Sequence, residues 1–233
     1  MASKSKAARA KQSKAESKVN FYLIAIPVLA FVIKLITMAN IKNVDGGFLG
    51  GWLGADGENY LSGVDGLLAQ GYLSDKSILS YWPAGYPILL WMAAKISVPH
   101  ILWIISIVQS AFYAYASYYF IQTLKNSKLR PYLFTISIII GFNPTLSLSS
   151  MAVGYESPIA AVMLMVTGLI IKSKMGEVNR RFWIRVVGVG AFFGLASFMQ
   201  PRWVLTTIIV AIIWALTYDN RKTQALILAG VVG

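Results

Sequence analysis

The stretch FYLIAIPVLAFVIKLITMA at residues 21–39 is the clearest indication of the fold class of this chain. This stretch is almost entirely apolar and approaches the roughly 20 residues that a helix needs to cross a bilayer. Hydrophobic residues make up 57% of the chain and charged residues 13%, which is too apolar for a soluble domain. The sequence therefore predicts an all-α, polytopic bundle of transmembrane helices. Further apolar runs lie at residues 100–122, 131–149, 157–171, 182–199 and 203–218.

A last apolar run begins near residue 225 and stops at Gly233, well short of the length of a span. We therefore expect residues 20–233 to form one transmembrane module that is truncated at its C-terminus.

The net charge of +12 is concentrated in an N-terminal arm and in short segments between the apolar runs. The arm, residues 1–19, lacks aromatic residues, and we expect a disordered cytoplasmic tail that touches anionic lipid. Lys and Arg gathered between spans follow the positive-inside rule, so this distribution argues against nucleic-acid binding. The basic residues of the arm are Lys4, Lys6, Arg9, Lys11, Lys14 and Lys18.

Residues 83–98 are apolar enough to be a short span, and the basic segments decide whether they cross. If they do not cross, most of the 21 Lys and Arg lie on the cytoplasmic side together with the arm. We therefore expect an interfacial or re-entrant helix at residues 83–98, within an outer loop that covers residues 40–99. The same topology places most acidic residues outside, namely Asp45, Asp56, Glu58, Asp65, Asp75 and Glu156.

Two stretches of the outer loop combine acidic, aromatic and turn-forming residues. The first reads Gly-Ala-Asp-Gly-Glu-Asn-Tyr at residues 54–60, and a helix over residues 56–70 would place Asp56 and Tyr60 on one face. The second reads Tyr-Trp-Pro-Ala-Gly-Tyr-Pro at residues 81–87. Without a ligand, the first is an interfacial helix with Asp56 as its N-cap, and the second is an aromatic turn in which Pro starts a helix.

Taken in this order within one loop, the two stretches resemble the first outer loop of the GT-C glycosyltransferases. These enzymes use polyprenyl-phosphate sugars and include protein O-mannosyltransferases and the lipid A aminoarabinose transferase. The stretch Gly-Tyr-Glu-Ser-Pro at residues 154–158 resembles their second acidic outer position, and residues 194–202 resemble their "GLA…RP" stretch. The chain departs from the pattern at Gly57, where an acid is common, and at Trp82 and Ala84 around a single Pro.

The resemblance implies transfer of a sugar from a polyprenyl-phosphate donor to an acceptor hydroxyl of a glycan, lipid or protein. The reaction would take place on the outer face of a bacterial cytoplasmic membrane, with the N-terminus in the cytoplasm. It would invert the anomeric centre, with Asp56 as general base. The substrate-binding residues implied are Tyr60, Glu58, Tyr86, Glu156 and Arg202.

Arg202 would neutralise the leaving polyprenyl phosphate in this scheme, and its alternative role is that of a snorkelling anchor beside Trp203. Glu156 has three open roles: it orients Arg202, binds the acceptor, or holds a divalent cation together with Asp56. No metal site is assigned by the sequence, and oxygen ligands alone would favour Mg²⁺ or Mn²⁺. Lys34 is about one and a half turns from the outer end of its span, so we expect it to snorkel without a further function.

Two other functions stay open at this point. A transporter component would carry ionisable residues or broken helices near the membrane midplane, whereas the later apolar runs here are nearly free of charge. A non-catalytic assembly subunit would keep the fold without the activity. Whether Asp56 is needed for turnover separates this last role from that of an enzyme.

Overall fold

This computed structural model describes residues 2–40, 51, 52, 57–70 and 83–232. Ten α-helices lie within these residues. Among these residues there is no strand, and a single isolated bridge pairs Trp52 with Ala152. The all-α class predicted from the sequence is confirmed. The helices are α1 (Ala2–Asn40), α2 (Gly57–Gln70), α3 (Gly85–Ile96), α4 (Ile101–Leu124), α5 (Leu133–Phe142), α6 (Pro144–Leu148), α7 (Glu156–Lys174), α8 (Arg180–Met199), α9 (Trp203–Leu216) and α10 (Arg221–Val232).

Four helical segments in the described part of the chain are long and apolar enough to cross a membrane, which is consistent with a membrane protein. They are Phe21–Asn40, Val98–Leu124, Glu156–Lys174 and Arg180–Met199. The apolar runs at 131–149 and 203–218 give shorter helices instead, over Arg130–Phe142 and Trp203–Leu216.

The run at 131–149 does not form one continuous helix, so the prediction of a single span there was wrong. Helix α5 ends at Phe142, and Asn143 leaves the helical conformation with ψ near 122°. Pro144 explains this break, because a proline disfavours the α conformation of the residue before it. The chain resumes as the short helix α6, and the Ser147 hydroxyl donates to the carbonyl of Gly141 across the break, at 2.6 Å.

The N-terminal arm is helical, contrary to the disorder expected from its charge. Helix α1 runs without interruption over Ala2–Asn40, about 58 Å at 1.5 Å per residue. The arm contains no Gly or Pro and is rich in Ala and Lys, both of which are good helix formers. Local propensity therefore favours continuation of the first span into the arm.

The two helices predicted for the outer loop are present. Helix α2 covers Gly57–Gln70, one residue inside the predicted 56–70, and it buries Tyr60 and Val64. Helix α3, Gly85–Ile96, falls within the predicted 83–98 and is about 18 Å long. A helix of this length cannot cross the roughly 30 Å hydrocarbon core.

The outer-loop helices share a core with the long helices. Helix α3 packs on α2, α4 and α8, and α7 packs between α4 and α8. One buried cluster extends from Tyr60 and Tyr86 through α4, α7 and α8 to Ile227 of α10. Residues from both stretches of the outer loop are therefore fixed against the helix bundle.

Lys34 does not snorkel, contrary to expectation. Its side chain is 2% exposed, and its Nζ atom lies 4.7 Å from the centroid of the Tyr113 ring on α4. Because α4 and α5 both pack against α1, they cover the side of α1 from which Lys34 would reach an interface.

Candidate functional site at a cluster of three tyrosines

Three tyrosines bring separate outer segments into contact at one end of the bundle. The Tyr60 ring of α2 meets the Tyr86 ring of α3 edge-on, with centroids 5.0 Å apart. Tyr60 also meets Tyr155, the residue before α7, edge-on at 6.5 Å. Both stretches of the outer loop and the 154–158 stretch therefore meet at Tyr60. We call Tyr60, Tyr86 and Tyr155 the tyrosine cluster.

Tyr86 is fully buried, and its hydroxyl group bonds the protein. The oxygen accepts hydrogen bonds from the backbone N–H of Gly154 at 2.8 Å and from Nε2 of Gln109 at 2.9 Å. Burial raises the pKa of Tyr86 above its ordinary value of 10, so the hydroxyl stays neutral at physiological pH. Tyr86 therefore positions the start of α7 from inside the protein and has no surface for a substrate.

The Pro-Ala-Gly-Tyr-Pro stretch needs a glycine at position 85 because another backbone segment passes close to it. A Cβ atom at Gly85 would lie 2.6 Å from the carbonyl oxygen of Phe198 and 2.8 Å from the nitrogen of Met199. The first residue of α3 therefore touches the backbone at the last turn of α8. That turn leads directly into Gln-Pro-Arg at residues 200–202 and sets the position of Arg202.

Trp52, within the outer loop, is joined to the segment before α7 through backbone hydrogen bonds. The N–H of Trp52 donates to Met151 at 2.9 Å, and the N–H of Val153 donates to Trp52 at 2.7 Å. Gly51 has φ of +88°, in the left-handed region that favours glycine, and a Cβ there would lie 2.6 Å from the Ser106 hydroxyl. Gly51 and Trp52 are thus fixed beside the segment before α7.

Arg202 is exposed and is held by Tyr155. Its Nη2 donates a hydrogen bond to the Tyr155 hydroxyl, and its guanidinium carbon lies 5.4 Å from the Tyr155 ring centroid. Glu156 is exposed in the first turn of α7 and forms no salt bridge with Arg202 or any other described residue. The carboxylate instead folds over Gly154, where a Cβ atom would collide with it. The residue that orients Arg202 is therefore Tyr155 and not Glu156.

A groove of about 440 Å³ begins at Arg202, Tyr155 and Glu156 and runs along α7. Thr167, at its far end, lies about 16 Å from Glu156 along the helix axis. The walls between these ends are almost entirely apolar. They are formed by Phe120, Ile159, Ala160, Met163, Leu164 and Trp203.

Two further predicted residues lie apart from this arrangement. Glu58 is exposed in the first turn of α2 and makes no hydrogen bond or ion pair with the described residues. Asp56 lies outside the described residues, and so does the predicted metal pairing of Asp56 with Glu156. Within the described part of the chain, no three Asp, Glu, His or Cys side chains are grouped to hold a metal ion.

Sequence reasoning missed Gln109 and Tyr155. Gln109 lies inside an apolar run, but buried polar residues recur there every three or four positions, as on one face of a helix. That spacing was a readable signal of a polar face on α4. Its members are Ser106, Gln109, Ser110, Tyr113 and Ser117. For Tyr155 the signal was its place beside Glu156, but the acid drew the functional assignment.

Comparisons of the chain with protein-family models, with curated proteins and with solved structures found no match.

Proposed function

We propose that this chain is a membrane glycosyltransferase that uses a polyprenyl-phosphate sugar as donor. The observation that carries the proposal is the apolar groove along α7 with Arg202, Tyr155 and Glu156 at its mouth. A long apolar channel with a cation at one end suits a ligand that has a hydrocarbon tail and a phosphate head. The resemblance of the outer-loop sequence to the GT-C enzymes supports the same class of donor.

Arg202 would bind the phosphate of the donor. A guanidinium has five N–H donors, and the hydrogen bond to Tyr155 uses one of them. The remaining donors can form paired, charge-assisted bonds to phosphate oxygens. Helix α9 begins at Trp203, directly after Arg202, and the N–H groups and dipole at a helix N-terminus favour an anion there.

The prenyl tail would lie along α7. The groove walls between Glu156 and Thr167, about 16 Å apart, are almost entirely apolar, and burial of each CH₂ group contributes about 0.8 kcal/mol. Much of this burial free energy is absent when the alternative environment of the tail is the surrounding lipid. The tail therefore aligns the donor more than it increases the affinity. The sugar would then project beyond Glu156, toward the tyrosine cluster.

In the proposed reaction, an acceptor hydroxyl oxygen attacks the anomeric carbon while the bond from that carbon to the phosphate oxygen breaks. The acceptor proton passes to the Asp56 carboxylate, and polyprenyl phosphate leaves with the bonding electron pair. Arg202 stabilises the charge that develops on the phosphate. Asp56 directly precedes α2 in the sequence, and Tyr60 of α2 contacts Tyr155. Glu156, next to Tyr155, would accept hydrogen bonds from sugar hydroxyls.

The test is release of sugar from a panel of labelled polyprenyl-phosphate sugars by membranes that contain the full chain. We expect one donor to be turned over, and Asp56→Asn to lower kcat by about 10²-fold or more. Arg202→Gln should weaken donor use, whereas Arg180→Gln, an exposed arginine at the opposite end of the bundle, should leave it unchanged. Donor binding without turnover in the wild type would indicate a non-catalytic subunit instead. Equal turnover by wild type and Asp56→Asn would remove Asp56 from the chemistry.

A further inference from the structure

A second polar cluster lies at the other end of α7, far from the tyrosine cluster. The Nζ atom of Lys172, in the last turn of α7, lies 4.2 Å from the centroid of the Tyr119 ring on α4. Nη1 of Arg185, on α8, donates to the Lys172 carbonyl at 2.5 Å. Two cations on neighbouring helices are thus held together beside one aromatic ring. We call Lys172, Arg185 and Tyr119 the basic pair site.

No acidic side chain in the described part of the chain offsets this pair. Neither Lys172 nor Arg185 forms a salt bridge with a described residue, and Glu177, the acid nearest in sequence, is exposed. Two like charges held close together repel each other, so the arrangement is more favourable when an anion lies between them.

Most hydrogen-bond donors of the pair are unused by the protein. The Lys172 ammonium contacts a ring but donates to no described acceptor, and the Arg185 guanidinium uses one of its five N–H groups. Lys174 shows the contrast, because its Nζ donates to the carbonyl of Thr217 at 2.7 Å. Lys174 completes the end of α9, whereas the donors of Lys172 and Arg185 are left for a ligand.

The turn between α7 and α8 leaves the pair accessible. A Cβ atom at Gly176 would lie 3.6 Å from Nη1 of Arg185, an ordinary contact distance. Glycine at this position therefore leaves one side of the guanidinium uncovered.

We propose that the basic pair site binds the phosphate group of an anionic membrane lipid. A phosphate oxygen can accept from both cations at once, and such charge-assisted bonds are stronger than neutral ones. A lipid fits better than a soluble phosphate because α7 and α8 are both long and apolar enough to cross a membrane. Lys172 lies in the last turn of α7 and Arg185 in the second turn of α8, so the pair is near one end of both helices. The acyl chains would extend along the exposed apolar surface of these helices, which on α8 includes Ile184 and Val187, 62% and 64% exposed. The site is independent of glycosyl transfer at the tyrosine cluster.

The experiment is native mass spectrometry of the full chain in micelles that contain equal amounts of phosphatidylglycerol and phosphatidylcholine. We expect the wild type to retain phosphatidylglycerol in preference. The double variant Lys172→Gln/Arg185→Gln should lower that retention by about tenfold. The control Arg180→Gln/Arg181→Gln removes the same charge from exposed residues nearby and should lower it far less. Equal losses in the two double variants, or equal retention of both lipids by the wild type, would overturn the proposal.

A second pair of variants keeps the test decisive if the double variant does not fold. Gly176→Asp places a carboxylate beside Arg185 and should displace the lipid, whereas Gly176→Asn has nearly the same shape and should retain it. Inorganic phosphate alone distinguishes the source of the ligand. If phosphate in lipid-free detergent raises the Tm of the wild type but not of Lys172→Gln/Arg185→Gln, the site serves a soluble anion and the lipid assignment is wrong.

Discussion

The two ends of the helix bundle handle polar groups in opposite ways. At the tyrosine cluster, Tyr86 is buried with its hydroxyl bonded to Gly154 and Gln109, and Gly85 brings one backbone against another. At the basic pair site, Lys172 and Arg185 keep most of their donors, and Gly176 leaves the space beside them open. The first arrangement fixes geometry, and the second leaves charge available to a ligand.

The same contrast exists between the buried interior of the tyrosine cluster and its exposed rim. Tyr60, Tyr86 and Tyr155 are buried, whereas Arg202 and Glu156 at the rim are exposed. Substitutions inside the cluster should therefore change stability first, whereas substitutions at its rim should change ligand binding first.

The largest effect should come from Gly85→Ala. The added methyl group would meet backbone atoms of Phe198 and Met199, which cannot move aside as a flexible side chain can. We expect a loss of about 3 kcal/mol in the free energy of unfolding, measured by denaturant titration in mixed micelles. Gly176→Ala, the counterpart at the open end, should change it by less than about 0.5 kcal/mol. Similar losses at both glycines would erase the contrast between the ends.

A smaller loss should follow Tyr86→Phe. Removal of the hydroxyl leaves the buried Gly154 N–H without its acceptor, and the Gln109 amide keeps only the longer bond of 3.4 Å from Nε2 to the Ala152 carbonyl. This loss should cost about 2 kcal/mol in the same titration. Tyr132→Phe is the control, because Tyr132 is 62% exposed and lies beyond the far end of α4. It should be neutral. If Tyr86→Phe leaves the free energy of unfolding unchanged, the buried hydroxyl does not hold α3 to the start of α7.

The two ends of α7 offer the finest comparison, between two buried serines. Ser157 is fully buried and its hydroxyl has no hydrogen-bond partner among the described residues, whereas Ser173 donates to the Leu169 carbonyl at 2.7 Å. Ser157→Ala should raise the free energy of unfolding by about 1 kcal/mol, since it removes an unsatisfied polar group. Ser173→Ala should lower it slightly. Destabilisation by Ser157→Ala would reveal a hydrogen-bond partner for that hydroxyl.

Local signals explain which parts of the fold were predictable. The apolar stripe and the turn residues of the outer loop predicted α2 and α3. Charge counting predicted that the second helix does not cross the membrane, and its length of 12 residues agrees with this. The break at Asn143 was missed because average hydropathy does not register a single proline. The helical arm was missed because its charge was given more weight than the helix propensity of its Ala and Lys residues.

Those parts of the site that depend on contacts between distant segments could not be predicted from the sequence. The residues Tyr60, Glu156 and Arg202 could be named from the resemblance, since each lies in or beside a recognisable stretch. The bond from Gln109 to Tyr86 joins residues in different helices, and no local pattern specifies it. The burial of Lys34 depends likewise on how α4 and α5 pack over α1. Such pairings follow from tertiary packing and not from propensity.

The groove along α7 has a practical consequence for purification. Detergents that extract a membrane protein carry an alkyl chain, which matches the apolar walls of the groove, and a polar head, which matches the charged residues at its mouth. A detergent molecule seated there would act as a competitive inhibitor of any lipid-linked substrate. Activity lost on solubilisation and regained on transfer to nanodiscs would therefore report on the occupancy of this groove, and the chain length of the most inhibitory detergent would measure its depth.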